Sequence, residues 1–367
     1  MKIFTGDRMF LVITAILALG GIAIFSSAAL GLLAREGAGV SKIALNQVVF
    51  GLGAGIAAFA IARTIPLTLI KKWAPYLYGA SVLLTLLVFA PGIGVHANGA
   101  TRWLNLGFTT VQPAEFLKFG VVLMIAWLLS RNAKHLKDWR RGILPFLIIV
   151  GAPAAILLAQ PNTSTTMLVL ATSGIMYFAA GAPWRDFGII LVLALIAGAA
   201  VLHFRPYAMA RVETFLNPSG DSLGSGYQIQ QSLIAIGSGG FAGRGFGQSV
   251  QKFNYLPEPE GDSVFAVFGE EFGFSGTLIL VLLFAMFAAR GIVIAGESRD
   301  LFGGLVALGF SWLIAFQAFV NMSAMLGIIP LTGLPLPFVS QGGTALMMAL
   351  AAAGLILNIA AHRTARS

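Results

Sequence analysis

Residues 254–289 read NYLPEPEGDSVFAVFGEEFGFSGTLILVLLFAMFAA. A polar, acid-rich loop passes within a few residues into an apolar segment, 263–289. That segment is long enough to cross a hydrocarbon core about 30 Å thick, which takes about 20 residues of helix. The chain has 14 acidic residues, and five of them (Glu258, Glu260, Asp262, Glu270 and Glu271) fall in this one stretch. Glu270 and Glu271 lie inside the apolar segment. An ionised group at the centre of a membrane helix costs at least about 2.5–3.5 kcal/mol, so each needs a cationic partner, a proton or a wet cavity.

Apolar runs recur on both sides of this one. Ten spans are expected, at 9–33, 43–62, 73–90, 113–130, 143–160, 165–182, 187–204, 263–289, 302–328 and 344–361, with Pro161 and Pro183 dividing the middle ones. Hydrophobic residues make up 57% of the chain and charged residues 10%, against roughly 25% charged in soluble domains. The reading is an all-α polytopic membrane protein, one domain over residues 1–367. The first apolar run, about 25 residues without a small-residue cleavage pattern, reads as a retained helix. The chain has no cysteine, which excludes disulfides and thiolate metal sites. The net charge of +9 is scattered between apolar runs, a pattern of topology and anionic lipid and not of nucleic acid.

Lysine and arginine orient the spans. With both termini cytoplasmic, the inner segments hold fifteen, from Lys2 and Arg8 through Lys71, Lys72 and the 131–141 cluster to Arg363 and Arg366. The short outer loops hold three, Arg35, Lys42 and Arg102. Residues 205–262 then form one long extracytoplasmic loop between the seventh and eighth helices, and its QIQQSLIAIG run (228–237) suits a helix on the membrane surface.

Four polar clusters need a reason, and this topology puts all of them in the outer half. In ANGATRWLNLGFTTVQPAEFLK (97–118), Arg102 lies in a loop, Gln112 opens the fourth helix, and Glu115 and Lys118 are three apart on one face. That pattern suits either a buried ion pair or a cationic phosphate site. AIGSGGFAGRGFGQSVQK (235–252) is a Gly-rich loop with Arg244, either plain turns or an anion nest. Asp262, where the eighth helix begins, is a helix cap or something sharper. LTGLPLPFVSQGGTA (331–345), preceded by Gln317 and Asn321 four apart on the ninth helix, breaks regular structure and is expected to be re-entrant or to pack over the outer mouth.

Taken together, the runs NGATRWLNLG…QPAEFLK, FLNPSGDSLGSGYQIQQSLIAIGSGG (215–240), LPEPEGD (256–262) leading into FAVFGEEFGF, and PLTGLPLPFVSQGG (330–343) resemble the SEDS family of bacterial shape, elongation, division and sporulation proteins, over nearly the whole chain. The resemblance implies a peptidoglycan glycosyltransferase in the bacterial cytoplasmic membrane. It would polymerise lipid II on the outer side beside a class B penicillin-binding protein of the FtsI type and other division proteins. NGATRWL and GQSVQKFNYLPE resemble the division branch, FtsW, more than the elongation branch, RodA. By resemblance Asp262 matches the family's catalytic aspartate, and Arg102, Gln112, Glu115 and Lys118 its polar set on the fourth helix and the loop before it. Glu271 matches the second acid of its E-E pair, and Ser340, Gly342 and Gly343 its S-Y-G-G turn. Two positions depart from the family pattern: Asn162 stands in QPNTSTT where an aspartate is usual, and Gln341 replaces the tyrosine of the turn.

The implied chemistry is an inverting transfer giving a β-1,4 linkage and releasing polyprenyl pyrophosphate. Asp262 would be the base, with Glu258 and Glu260 raising its proton affinity, while Arg102 and Lys118, with Arg244 in reach, hold the pyrophosphate. A divalent cation, Mg or Mn, is expected from the resemblance, though no stretch reads as a dedicated metal motif. No organic cofactor is expected. Two other readings use the same residues: a lipid II flippase, with the cavity but no base, and an inactive scaffold for the transpeptidase.

Overall fold

The computed structural model describes residues 7–36, 46–97, 99–105, 107, 109–217, 220 and 224–362. Lys2, Lys42, Arg363 and Arg366, used above to orient the chain, lie outside the described residues, as does part of the 205–262 loop. The apolar runs become helices α1 (Arg8–Glu36), α2 (Ala54–Thr64, continuing a π-helical stretch Asn46–Gly53), α3 (Leu67–Leu86) and α4 (Pro113–Asn132). They are followed by α5 (Ile143–Ala159), α6 (Thr163–Ala179) and α7 (Trp184–Phe204). The 205–262 segment contains α8 (Pro206–Leu216), α9 (Ser225–Ser238) and the single turn α10 (Gln251–Asn254), and the chain ends with α11 (Val264–Gly296), α12 (Leu301–Met325) and α13 (Gly343–Ala361).

Among the described residues eight helical segments are long and apolar enough to cross a membrane, and α5 and α6 are apolar but shorter, at 17 residues each. The protein is a mostly helical, multi-pass membrane protein. Helices α4, α12 and α13 form its buried centre, whereas no residue in the apolar window of α7 is buried. Helix α2 packs on α13, α3 on α4, and α9 and α12 on α11.

Two expectations are corrected. The chain is not all-α, because residues 94–111 form a three-stranded antiparallel sheet, β1 (Gly94–Ala97), β2 (Ala100–Asn105) and β3 (Thr110–Val111). Val95 pairs with Trp103 and Leu104 with Val111, so this glycine-rich connection meets its backbone hydrogen-bonding needs across strands where it is unfit for a helix. The third helix starts at Leu67, not 73: Lys71 and Lys72 lie inside its first two turns, and Lys71 Nζ reaches the Phe302 ring at 5.6 Å. The helix expected on the membrane surface is present as α9, which packs against α11, buries Ile229, Ser232 and Ala235 and leaves Leu233 and Ile234 exposed.

Helix α11 is interrupted. At Gly273 the backbone takes φ 65°, ψ −164°, a region essentially restricted to glycine. The carbonyls and amides freed there are used by the turn after α9. Arg244 N–H donates to Glu270 O (3.0 Å) and Gly245 N–H to Glu271 O (2.9 Å), while Phe274 and Ser275 N–H donate to Gly240 O (2.8 Å) and Phe241 O (3.0 Å). The two buried acids beside the break are also satisfied. Glu270 accepts from Ser249 Oγ (2.6 Å), Val250 N (3.1 Å) and Gln251 N (3.2 Å), with Arg244 Nε at 3.4 Å. Glu271 is held by Lys252 Nζ (2.7 Å) and by Ser27 Oγ of α1 (2.6 Å). The Gly-rich loop is therefore neither plain turn nor open nest, but the piece that completes the broken helix.

Gly273→Val should cost about 1–3 kcal/mol from backbone strain, and more because its new Cβ would run into Gly243 N. Gly198→Ala on the exposed side of α7, with nothing within 4 Å, should leave the thermal midpoint in detergent unchanged or slightly higher. Lys252→Met, which strands the Glu271 carboxylate, should destabilise by about 3–5 kcal/mol, and adding Glu271→Gln should restore part of the loss. Strict additivity of the two substitutions would show that the pair is not coupled.

Candidate functional site

Asp262 ends the polar loop one residue before the cap of α11. The cap is Ser263, which makes no side-chain capping bond, and the Asp262 carboxylate turns elsewhere. Its Oδ1 accepts from Gln228 Nε2 of α9 (3.0 Å), and the same amide donates to Ser263 Oγ (2.9 Å). The Asp262 carbonyl accepts from Asn321 Nδ2 of α12 (2.8 Å), which also donates to Leu334 O (2.8 Å). Asn321 thus ties the acid-bearing loop to the irregular 330–343 segment. The carboxylate is half-buried. Burial, with the negative Glu258 beside it, pushes its pKa up to about 7, against the opposing pull of the Gln228 hydrogen bond and of Arg211.

Asp262 faces a cavity of about 1150 Å³. One wall comes from the sheet, with Arg102 and Trp103, and another from α8, with Arg211. The remainder is formed by Glu258 and Glu260 of the acidic loop, Gln112 at the start of α4, and Gly333, Gln341, Gly342 and Gly343. Arg102 Nε donates to Gln160 O (3.3 Å) and its Nη2 to Pro161 O, both at the C-terminal end of α5. Burial, followed by repulsion from Arg211, lowers its proton affinity. Arg211 Nη1 donates to Thr332 O (3.1 Å). A Cβ on Gly333 would lie 3.6 Å from Arg211 Nη2 and 3.9 Å from Asp262 Oδ2. A cation and the acid thus flank one small space that a glycine keeps open.

The sequence-derived residues separate at this point. Asp262, Arg102, Gln112, Gly342 and Gly343 come together at the cavity. Glu115 reaches a small polar chamber of about 30 Å³ that shares Arg102, Gln112 and Arg211 with the cavity. Lys118 is buried, its Nζ 2.8 Å from Glu115 Oε1 and 2.8 Å from Gln317 Oε1, and Gln317 donates on to Pro335 O (2.7 Å). That is the ion-pair reading of Lys118, and it joins α4, α12 and the 330–343 segment. Arg244 is held at Glu270 and does not line the cavity, and Glu271 faces α1. Ser340 is a turn residue: its Oγ accepts from Leu336 N (2.7 Å) and its carbonyl from Gln47 Nε2 (3.2 Å). Asn162 caps α6, its Oδ1 accepting from Thr165 N (3.3 Å).

Arg211 and Gln228 were missed. Both sit in the 205–262 segment, Arg211 in a part whose polarity reads as loop and Gln228 at the start of the run expected to be helical. The structure shows both lining the cavity, Arg211 from α8 and Gln228 from α9. Among the described residues no three His, Asp or Glu side chains are grouped to hold a metal ion; Asp262, Glu258 and Glu260 are the carboxylates that line the cavity.

The family model FTSW_RODA_SPOVE, described as cell cycle protein, matches residues 7–365. Stage V sporulation protein E of Bacillus subtilis (strain 168) is 38% identical over 319 residues, 87% of this chain and 87% of that protein. The probable peptidoglycan glycosyltransferase FtsW of Geobacter sp. (strain M18) is 35% identical over 356 residues, 96% of each. A chain in the solved structure described as structural coordination of polymerization and crosslinking by a peptidoglycan synthase complex superposes with a TM-score of 0.79 at 28% identity, covering 98% of this chain and 99% of that one. The acid-bearing loop, the broken helix and the polar cavity thus belong to a chain that is a member of the FtsW/RodA/SpoVE family of cell cycle proteins.

Proposed function

We propose that the chain is a peptidoglycan glycosyltransferase that polymerises lipid II into glycan strands, with Asp262 as general base. The observation that carries this is the Asp262 carboxylate itself: half-buried, raised to about 7, and facing a cavity with a guanidinium close by. A base works best with a pKa near the operating pH. The acceptor sugar hydroxyl attacks the anomeric carbon of the donor as its proton passes to Asp262. The bond from that carbon to the pyrophosphate oxygen breaks, the configuration inverts, and polyprenyl pyrophosphate leaves with the bonding pair. Gln228 and Asn321 hold the carboxylate and its backbone in place. The names of relatives such as the Geobacter FtsW support transfer chemistry, while the flippase reading needs the same cavity without a base and has no further observation in its favour.

The reading extends to the cell. Helices α5 and α6, shorter than the other spans, complete ten crossings, with both termini cytoplasmic and residues 205–262 outside, so that the cavity faces out of a bacterial cytoplasmic membrane. The partner is a class B penicillin-binding protein, in line with a structural neighbour described by polymerization and crosslinking in one complex. Septum synthesis is the preferred role, on the strength of NGATRWL and GQSVQKFNYLPE. Elongation is the alternative.

Purified protein with its transpeptidase partner, given lipid II, should make glycan strands visible on a gel, and Asp262→Asn should make none. Polymer from the Asn variant at near wild-type rate would overturn the assignment. Because the base must be deprotonated, the wild-type rate should rise through about pH 7 and then level off. Stability should run the other way. Between about pH 4 and 7 folded Asp262 keeps a proton that the unfolded chain has released, so stability is fullest below that window and falls as pH rises through it. The thermal midpoint of Asp262→Asn relative to wild type should therefore be higher at about pH 8 than at about pH 5.

A further inference from the structure

The cations of this chain divide by partner. Lys118, Arg244, Lys252 and Arg290 each lie within 3.4 Å of a carboxylate, on Glu115, Glu270, Glu271 and Asp7 respectively. Arg102 and Arg211 form no ion pair among the described residues. Neutral oxygens anchor them instead: the Gln160 and Pro161 carbonyls for Arg102, and for Arg211 the Thr332 carbonyl at 3.1 Å and the Ser164 hydroxyl at 3.5 Å. Yet both line the large cavity and the small chamber beside it, close enough for Arg211 to oppose protonation of Arg102. Two half-buried guanidiniums that repel each other, neither in contact with a carboxylate, gain from an anion that touches both.

The acids nearby form no ion pair with either arginine among the described residues: Asp262 lies across the Gly333 space from Arg211 and feels its field, and Glu258 and Glu260 line the larger cavity. Glu115, the acid lining the chamber, is held by Lys118 at 2.8 Å. Asn162, also in the chamber wall, stands where the family resemblance expects an aspartate; it caps α6 but adds no negative charge. The first turn of α6 opens on the same chamber and adds the positive end of a helix. Both guanidiniums hold their anchors with only part of their N–H groups, which leaves donors for a ligand.

We propose that Arg102 and Arg211 form a two-arginine clamp for a diphosphate group in the cavity. Planar guanidiniums suit phosphoryl oxygens bidentately. If the chain polymerises lipid II, as proposed above, the diphosphate is the leaving group of the donor. Arg211 would then stabilise it across the Gly333 space from Asp262, and Lys118, assigned to this task from sequence, would have no part in it. The other source of the same chemistry is a phospholipid headgroup.

Binding separates these cases without any polymerisation. Wild-type protein in nanodiscs of a neutral phosphatidylcholine is titrated calorimetrically with farnesyl diphosphate, then competed with short-chain phosphatidylglycerol. The clamp predicts saturable binding that weakens about tenfold or more in Arg102→Gln and in Arg211→Gln, survives better in Arg211→Lys, falls with added salt and resists phosphatidylglycerol. Thermal midpoints identify any variant that has simply failed to fold, and Arg211→Lys then carries the test. Asp262→Asn should bind at least as tightly as wild type while making no polymer. Equal binding by wild type and both Gln variants, no binding by wild type, or displacement by phosphatidylglycerol as readily as by the diphosphate overturns the clamp. Diphosphate binding through the arginines in a protein that polymerises nothing would uphold the clamp and sink the polymerase reading. Full polymerisation by Arg211→Gln would do the reverse.

Discussion

The rule that backbone polar groups in a membrane must find partners inside the protein decides this structure at Gly273. A helix broken in hydrocarbon exposes carbonyls and amides, each costing several kcal/mol if left unpaired. Here four backbone hydrogen bonds from the 240–245 turn close the gap. The Ser249–Lys252 turn closes on the two acids just before the break, Glu270 and Glu271. One stretch of loop is thereby fastened at two levels to α11 and, through Ser27, to α1. Only nine residues separate Lys252 from Asp262, so the fastening also limits where Asp262 can stand. The position of the acid is a consequence of how the broken helix is repaired.

The same repair sorts the charges. In a low-dielectric interior a cation near a carboxylate is electrostatically quiet at a distance, while one held by carbonyl dipoles keeps most of its field. Lys118, Arg244 and Lys252 are of the first kind, joining helices or loops. Arg102 and Arg211 are of the second, and they face the cavity. The acids divide likewise. Glu270 and Glu271 are neutralised in place, whereas Asp262, with Glu258 beside it, is left where burial and like charge raise its proton affinity. A cavity with uncommitted charge of both signs, cation and acid meeting at a glycine, is suited to separating a proton from a hydroxyl and an anion from a sugar.

The helices were legible because the solvent on the lipid side imposes one rule on long runs of residues. What the sequence concealed was local. Lys71 and Lys72 look like loop residues but belong to α3, because long cationic side chains can lie along a helix and reach away from its apolar part. The sheet at 94–111 is too short and too rich in glycine to show a two-residue period, yet it carries Arg102. Glu115 and Lys118 were read as either an ion pair or a phosphate site, and only their burial beside Gln317 decides between the two. The cap reading of Asp262 fails for a similar reason: an N-cap and a base look identical in sequence, and the direction of the carboxylate, toward Gln228, separates them. Asn162 is the instructive departure. Asparagine and aspartate cap a helix about equally well, so the exchange keeps α6 intact while removing a negative charge from beside two arginines.

Arg211 also settles how the cavity keeps its wall. Helix α7 buries nothing in its apolar window and runs through Arg205 into α8, so the protein core offers little to hold this pair of helices against the bundle. Side-chain links near their ends do so, two of them through charged groups that are buried or line the cavity. Asp186, buried at the start of α7, accepts from Tyr177 Oη of α6 at 2.7 Å. Arg211, in α8, donates to Thr332 O of the 330–343 segment and reaches Ser164 Oγ at the start of α6. The bonds that fix Arg211 as a cavity cation are therefore the same bonds that fasten α8 across the cavity. An anion drawn to its remaining N–H groups would bind to the strut itself, so ligand binding and the position of this wall are coupled through one side chain. A lysine there keeps the charge but cannot hold two oxygens and a ligand in one plane.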